Sequence, residues 1–471
     1  MSKVDLTPVV PPERISPLTT APSNALIVQP EDYGLLTDLY QLTMSACYVG
    51  EGLAQRPASF ELFTRRLPQN FGYLVAMGLA QALEYLENLR FSADQIAALQ
   101  ATGIFDHVDD RFWDLLAETR FTGDVWAVPE GTIVFANEPL LRIEAPLWQA
   151  QIAETYLLNT LNYQTLVATR SARIRDTAGA AATLLEFGTR RAFSPQASVW
   201  AARAALAAGL DATSNVLAAM KLGRKPTGTM AHSIVMALAA EQGSEAQAFT
   251  TFHRYFPGAP LLIDTYDTIA AAQHLSKKLR AGEMELAGVR LDSGDLVTLS
   301  QQVRSLLPGV PIFASGDLDE YQIAELKAAG ACIDGYGLGT QLVTGSPVNG
   351  VYKLVEIDNI PVMKEATGKV TYPGRKQIFR RYDHGQIRSD RLGLISEAPH
   401  PGEQSLLQQV MQTGQRTQPE DSLETIAHRT AQSVATLLPE IRQLREPTTV
   451  AIELSSDLQA LIHQTQHSKA S

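Results

Sequence analysis

Arg290-Leu291-Asp292-Ser293-Gly294-Asp295 stands between a short apolar run, Leu286 to Val289, and an apolar, helix-like run, Leu296 to Leu307. The same unit of strand, polar loop and helix recurs on both sides. Thr183 to Phe187 ends at Gly188-Thr189-Arg190-Arg191 and precedes the Ala-rich helix Ser198 to Leu210. Leu261-Leu262-Ile263 ends at Asp264-Thr265-Tyr266-Asp267 and precedes Ile269 to Leu279. Val310 to Phe313 ends at Ala314-Ser315-Gly316-Asp317 and precedes Tyr321 to Ala329, and Cys332-Ile333-Asp334 ends at Gly335-Tyr336-Gly337-Leu338-Gly339-Thr340. Short apolar strands alternating with helices predict parallel strands, in a βα-barrel or a doubly wound sheet. The polar residues cluster after the strands, which in a barrel is the face that carries active sites.

Outside this run the pattern differs. Asp38 or Thr37 caps an expected helix that reaches Tyr48, Gly78 to Leu89 is amphipathic, and Phe121 to Ile143 reads as several short strands. The first part is therefore an α+β unit. Gly350 to Ile357 alternates as a strand and Lys369 to Arg381 is strand-like. The expected organisation is a flexible, proline-rich arm (1–24), an N-terminal α+β domain (25–150), a βα-barrel (151–345), a C-terminal segment (346–463) that lids the barrel or returns to the first domain, and a polar tail (464–471). The return is adopted here: an irregular βα-barrel of parallel strands plus an α+β domain built from both ends of the chain.

The 471 residues carry a net charge of -11 and two distant cysteines, Cys47 and Cys332. The charge disfavours a nucleic-acid partner. The cysteines suit a reducing cytoplasm and read as small buried hydrophobes. No segment has the length of a membrane span.

The candidate chemistry lies at the strand ends. Ser315-Gly316-Asp317 and Gly337-Leu338-Gly339-Thr340 each offer backbone amides and a hydroxyl to a phosphate. Arg190, Arg191 and Arg290 suit a carboxylate or phosphate. Asp264 and Asp292 can hold Mg2+ or favour a developing positive charge, whereas Asp267 and Asp295 read as helix caps. His232, in Thr227-Gly228-Thr229-Met230-Ala231-His232-Ser233, follows a basic loop and opens an apolar helix. An imidazole with one nitrogen held can take a phosphoryl group on the other; an ordinary helix-start histidine is the alternative. These residues describe a site for a phosphorylated, Mg2+-bound, anionic substrate. They admit a sugar-phosphate aldolase or isomerase as readily as a transferase.

Six segments carry a resemblance: Leu36 to Met44, Glu186 to Arg191, Gly228 to Ser233, Val289 to Asp295, Gly337 to Thr340 and Gly350 to Leu354. In this order they resemble the nicotinate phosphoribosyltransferases, type II phosphoribosyltransferases of NAD biosynthesis. The resemblance implies an ATP-coupled, ligase-class reaction of nicotinate with phosphoribosyl pyrophosphate, with Mg2+ as cofactor and ATP as co-substrate. It implies that His232 is transiently phosphorylated and that Asp264 and Asp292 lie near the ribose and metal. Tyr40, Phe187, Arg190, Ser214, Thr229 and Arg290 match nicotinate-binding positions. Arg191, Ser315, Gly316, Gly339 and Thr340 match phosphoribosyl or phosphate contacts. The resemblance also implies a homodimer in which Tyr40 comes from the partner subunit. A nicotinamide-specific relative would carry an aspartate where this chain has Ser214, which can donate to a carboxylate. A non-catalytic homologue that binds NAD metabolites is the remaining alternative.

Overall fold

The computed structural model describes residues 26–366 and 369–468, so the expected arm at 1–24 lies outside the described residues. Both ends of the chain build one antiparallel sheet. An inner strand, Pro57–Thr64, is flanked by Pro139–Pro146 on one side and by Gly350–Ile357 on the other. Farther out, Asp124–Ala127 pairs with Gln408–Gln412. The C-terminal segment thus returns to the first domain, and a second, mixed sheet, centred on the antiparallel pair Lys376–Asp383 and Gln386–Leu394 with Ile452–Leu454 added in parallel, packs beside it. Pro57–Thr64 is buried along seven of its eight positions because neighbours cover both edges and both faces. Its inward carboxylate, Glu61, is matched by Lys376 from the second sheet at 2.9 Å, both almost fully buried. A buried charge is tolerated only when paired in this way.

Six short strands form the second unit, all parallel. Their order is Ala212–Thr213, Thr183–Glu186, Gly335–Leu338, Ile312–Ala314, Val289–Leu291 and Leu261–Leu262. The 25-residue helix Glu154–Ala178 joins the two units. Its Thr165 and Thr169 hydroxyls accept the backbone amides of Met77 and Val75. Farther along, Arg173 reaches Glu320 of the parallel unit at 2.9 Å. A second tie is the two-point pair of Arg203, on helix Pro195–Ala207, with Glu130 at 2.7 and 2.9 Å.

Several local expectations change. Asp38 precedes helix Leu39–Gly50 but makes no side-chain cap; its carboxylate accepts the Thr155 hydroxyl instead. Residues 464–468 are not a tail. They complete helix Ser456–Ser468, whose Leu458 and Thr465 are buried on one face, two turns apart. Cys47 is exposed and Cys332 half-buried, and both are free. Among the described residues no helix is long and apolar enough to cross a membrane.

Candidate active site

The carboxyl ends of the six parallel strands form one edge, and the strand register explains which side chains face it. In Val289–Leu291 the flanking residues are fully buried in an apolar cluster with the helices, so Arg290 points to the opposite, inner face. Phe313 lies beside Arg290 in register and shares that face. In Gly335–Leu338, Tyr336 and Leu338 face the helices while the two glycines face inward. A Cβ on Gly335 would lie 2.7 Å from the Phe313 ring, and one on Gly337 would lie 2.6 Å from the Phe187 ring. Gly335 to Leu338 is therefore a strand and not the loop expected from its glycines; the bare backbone makes room for two aromatic rings. The strand also begins later than Cys332, and the Arg290 strand later than Leu286, so Arg290 lies inside its strand and not after it.

Along the edge the polar residues are joined one to the next. Asp264 accepts the amide of Asp292 and the hydroxyl of Ser293, each at 2.8 Å. Asp292 in turn accepts the Ser315 hydroxyl. Gly316 follows with φ +102, and a Cβ there would strike the Asp292 carbonyl. Asp267 and Asp295 cap their helices by accepting two backbone amides each. On the other side Glu186 accepts the Thr213 hydroxyl and the Gly188 amide, and its backbone carbonyl accepts the Ser214 amide at 2.9 Å. Burial raises the Glu186 carboxyl above its ordinary range, and the two hydrogen bonds oppose that.

The segment from Thr227 to His232 bridges the two open edges of this sheet. Thr227 donates its amide to Thr213, on the first edge strand, at 2.9 Å. Met230 presents its carbonyl to Arg290 at 3.0 Å. His232, the first residue of helix His232–Gln242, sets Nδ1 3.1 Å from the Thr265 hydroxyl, just beyond the last edge strand. This segment closes the irregular barrel, and it places the His232 Nε2 3.9 Å from Asp264 Oδ1. That carboxylate oxygen is buried and has no hydrogen-bond partner among the described residues. The same holds for Nε of Arg290. Burial lowers the Arg290 pKa, with Asp292 and Asp264 opposing, but a guanidinium stays charged. Two buried atoms without partners, one on a cation and one on an anion of the same edge, suit an anion on the arginine and a cation on the carboxylates.

The structure thus brings together His232, Asp264, Asp292, Arg290, Ser315, Gly316, Phe187, Ser214 and the Thr229 segment. Gly339 lies 3.6 Å (as a Cβ) from the Phe187 carbonyl, and Thr340 opens the short helix Thr340–Val343. Arg190 and Arg191 are exposed, with no ion pair among the described residues. Tyr40 stands apart: it is 48% exposed on helix Leu39–Gly50, its hydroxyl 3.4 Å from Glu154. Sequence reasoning missed Thr265, the Met230 carbonyl and Glu186, which hold the site residues. It also missed Glu245, whose carboxyl is pushed up to about 7 by burial and then by Asp267 and Asp264. The Thr-Tyr-Asp that follows Asp264 was the available signal for Thr265.

Three sequence models match the chain. They describe the nicotinate phosphoribosyltransferase N-terminal domain at residues 35–162, the nicotinate phosphoribosyltransferase family at 182–310 and its C-terminal domain at 402–462. A nicotinate phosphoribosyltransferase of Mycobacterium tuberculosis is 41% identical over 446 residues, covering 91% of this chain and 94% of its own. One from Bacillus subtilis is 40% identical, covering 76% of this chain and 75% of its own. The crystal structure of human nicotinic acid phosphoribosyltransferase superposes with a TM-score of 0.80 at 30% identity, covering 91% of this chain and 99% of that one.

Proposed function

This chain belongs to the nicotinate phosphoribosyltransferase family, and from that premise we propose that it joins nicotinate to phosphoribosyl pyrophosphate in NAD biosynthesis, with ATP hydrolysis coupled through His232. The balanced reaction is nicotinate, phosphoribosyl pyrophosphate, ATP and water to nicotinate mononucleotide, pyrophosphate, ADP and phosphate. The observation that carries the reading is the Thr227–His232 bridge. It ties a histidine to the arginine that suits the nicotinate carboxylate, so a charge added at one is felt at the other.

The pyridine nitrogen attacks C1 of the ribose as the C1–O bond to pyrophosphate breaks, and the ring nitrogen ends quaternary and positive. It needs no base; it needs placement. Arg290 anchors the carboxylate by a charge-assisted contact, and Ser214 can donate a second. Phe187 and, from the partner subunit of a homodimer, Tyr40 flank the ring. Arg190 adds positive charge to the nicotinate side. Arg191, Ser315, Gly316, Gly339 and Thr340 hold the phosphoribosyl group. The electron-poor ribose carbon in the transition state is favoured by the Asp264 and Asp292 carboxylates.

Asp264, with its unpartnered buried oxygen, and Asp292 fit a Mg2+ that is completed by water and substrate phosphates. Held there, such an ion would supply charge neutralisation to the leaving pyrophosphate. Among the described residues no cluster of three or more His, Cys, Asp or Glu side chains is placed to hold a metal alone. Two carboxylates with phosphates are the usual Mg2+ arrangement.

Thr265 fixes Nδ1 of His232 and leaves Nε2 as the nucleophile for the γ-phosphoryl of ATP, releasing ADP. Water later takes the phosphoryl group off. A phosphohistidine adds about -1.5 to -2 charges beside Arg290 and the 221–228 loop, which orders that loop for substrate. The test is nicotinate-dependent pyrophosphate release, run beside nicotinamide and quinolinate, with labelled ATP to detect an acid-labile phosphoenzyme. Turnover of nicotinate alone, with a label lost in His232→Ala, is the expected result. Preference for nicotinamide would install the alternative specificity, and no turnover at all would leave a metabolite-binding homologue.

A further inference from the structure

Thr340 is presented by a very short helix, Thr340–Val343, and the far end of that helix is held by the long helix Glu154–Ala178. The Tyr163 hydroxyl donates to the Val343 carbonyl at 3.0 Å. One guanidinium nitrogen of Arg170 donates to the Gln341 carbonyl and, at 2.5 Å, to the Thr344 carbonyl. Carbonyls at a helix end have no partner inside the helix, and here two side chains from elsewhere supply them. The chain then turns tightly around the arginine. Gly345 has φ +128, and a Cβ on it would lie 2.3 Å from Nη2 of Arg170. On the opposite side the helix abuts the Phe187–Gly188 turn, where a Cβ on Gly188 would lie 2.3 Å from Val343.

Arg170 itself has an unusual setting. It is half-buried, its Nε is buried with no partner, and no carboxylate pairs with it among the described residues. Glu320, the acid whose charge acts on it most, is taken by Arg173. A cation at the carbonyl end of a helix is favourable, and one kept without an ion pair adds its full charge to the surroundings.

We propose that Arg170 is a positioning residue for the phosphoribosyl substrate: it clamps the turn that presents Gly339 and Thr340 without touching the substrate itself. This rests on the phosphate role assigned above to that turn. It differs from a purely structural role by acting on one substrate and not the other.

The experiment is steady-state kinetics on the full-length enzyme with Arg170→Met, Arg170→Lys, Tyr163→Phe and Thr340→Val. Arg170→Met is expected to raise KM for phosphoribosyl pyrophosphate by about ten- to hundredfold. KM for nicotinate, at saturating co-substrate, should stay near wild type. Arg170→Lys keeps the charge and a single donor nitrogen and should recover part of the loss. Tyr163→Phe should shift the same KM by about two- to tenfold. Equal changes in both KM values, or a drop in thermal stability with both unchanged, would overturn the inference. Should Arg170→Met fail to fold, the same split in Arg170→Lys and Tyr163→Phe decides. A Thr340→Val variant with unchanged KM for phosphoribosyl pyrophosphate overturns the reading of the turn and the inference with it. One that raises that KM while the Arg170 and Tyr163 variants separate nothing overturns the inference alone.

Discussion

Gly337→Ala is expected to damage the pyridine pocket from beneath. The added Cβ would lie 2.6 Å from two carbons of the Phe187 ring and 3.3 Å from Cβ of Ser315. Carbon atoms prefer about 3.5–4.0 Å, so the ring must withdraw by roughly 1 Å. It has little freedom to do so. The Phe187 amide is held by the Leu338 carbonyl at 2.7 Å, and Ser315 is buried and bonded to Asp292. Overpacking of this kind costs about 1–3 kcal/mol, readable as a lower urea midpoint with unchanged slope. A misplacement of ~1 Å at a reacting centre can cost on the order of a hundredfold, and here it should fall on kcat/KM for nicotinate. Relief should come from shrinking the ring. In a double-mutant cycle with Phe187→Leu, stability should show a coupling of about 0.5–3 kcal/mol, the double variant being better than the sum predicts. Losses that add to within about 0.5 kcal/mol would refute the reasoning, because the glycine and the ring would then not be in contact.

Arg290→Ala should weaken nicotinate binding by roughly 1.5–3 kcal/mol and phosphoribosyl pyrophosphate binding far less, as titration calorimetry of both ligands would show. Mixing inactive Tyr40→Ala with inactive Arg290→Ala subunits, after dissociation and reassociation, should restore part of the activity, since one pocket of the heterodimer would be intact; a mixture as inactive as its parents, with subunit exchange proven, would put Tyr40 in its own chain's site or in none. Glu138 is buried beside Asp390 and Arg380, and burial followed by the Asp390 charge raises its pKa well above the carboxylate range. An acid with a raised folded pKa stabilises fully below its unfolded pKa, and that stability is lost as pH rises towards and through the folded value. Glu138→Gln, neutral at every pH, should therefore gain on wild type as pH rises from the ordinary carboxylate range upward, measured by thermal unfolding across pH.

What could be read from the sequence followed from how local its physical cause is. Asp267 and Asp295 were identifiable as caps because a cap bonds amides two and three residues on. Asp38 has the same sequence setting, yet Thr155, 117 residues away, takes its carboxylate. The alternation of Gly350–Ile357 marked it as a strand, but its pairing with Pro57–Thr64 depends on packing across nearly 300 residues and carries no local mark. The glycines of Gly335–Leu338 misled for the same reason. Gly337 was read with Gly339 and Thr340 as a phosphate loop, yet it and Gly335 lie in a strand, where they leave the room needed by Phe187 and Phe313. In the candidate site, Asp264 and Asp292 stood out in the sequence because carboxylates directly after apolar strands are costly to bury without a use. The groups that aim the site residues did not. A Thr265 hydroxyl, a Met230 carbonyl and an Arg170 clamp are ordinary residues in sequence, and they acquire a role only when the chain brings them against His232, Arg290 and the Thr340 turn. The Thr227–His232 segment shows the consequence. Its composition marked it as a loop with a histidine, whereas its position, bonded to one edge strand at Thr213 and to the loop after the other at Thr265, makes it the piece that closes the barrel. Under the proposed mechanism a phosphoryl group on that histidine would therefore load the seam of the barrel itself, and the segment that receives it would also be the one that shapes the pocket.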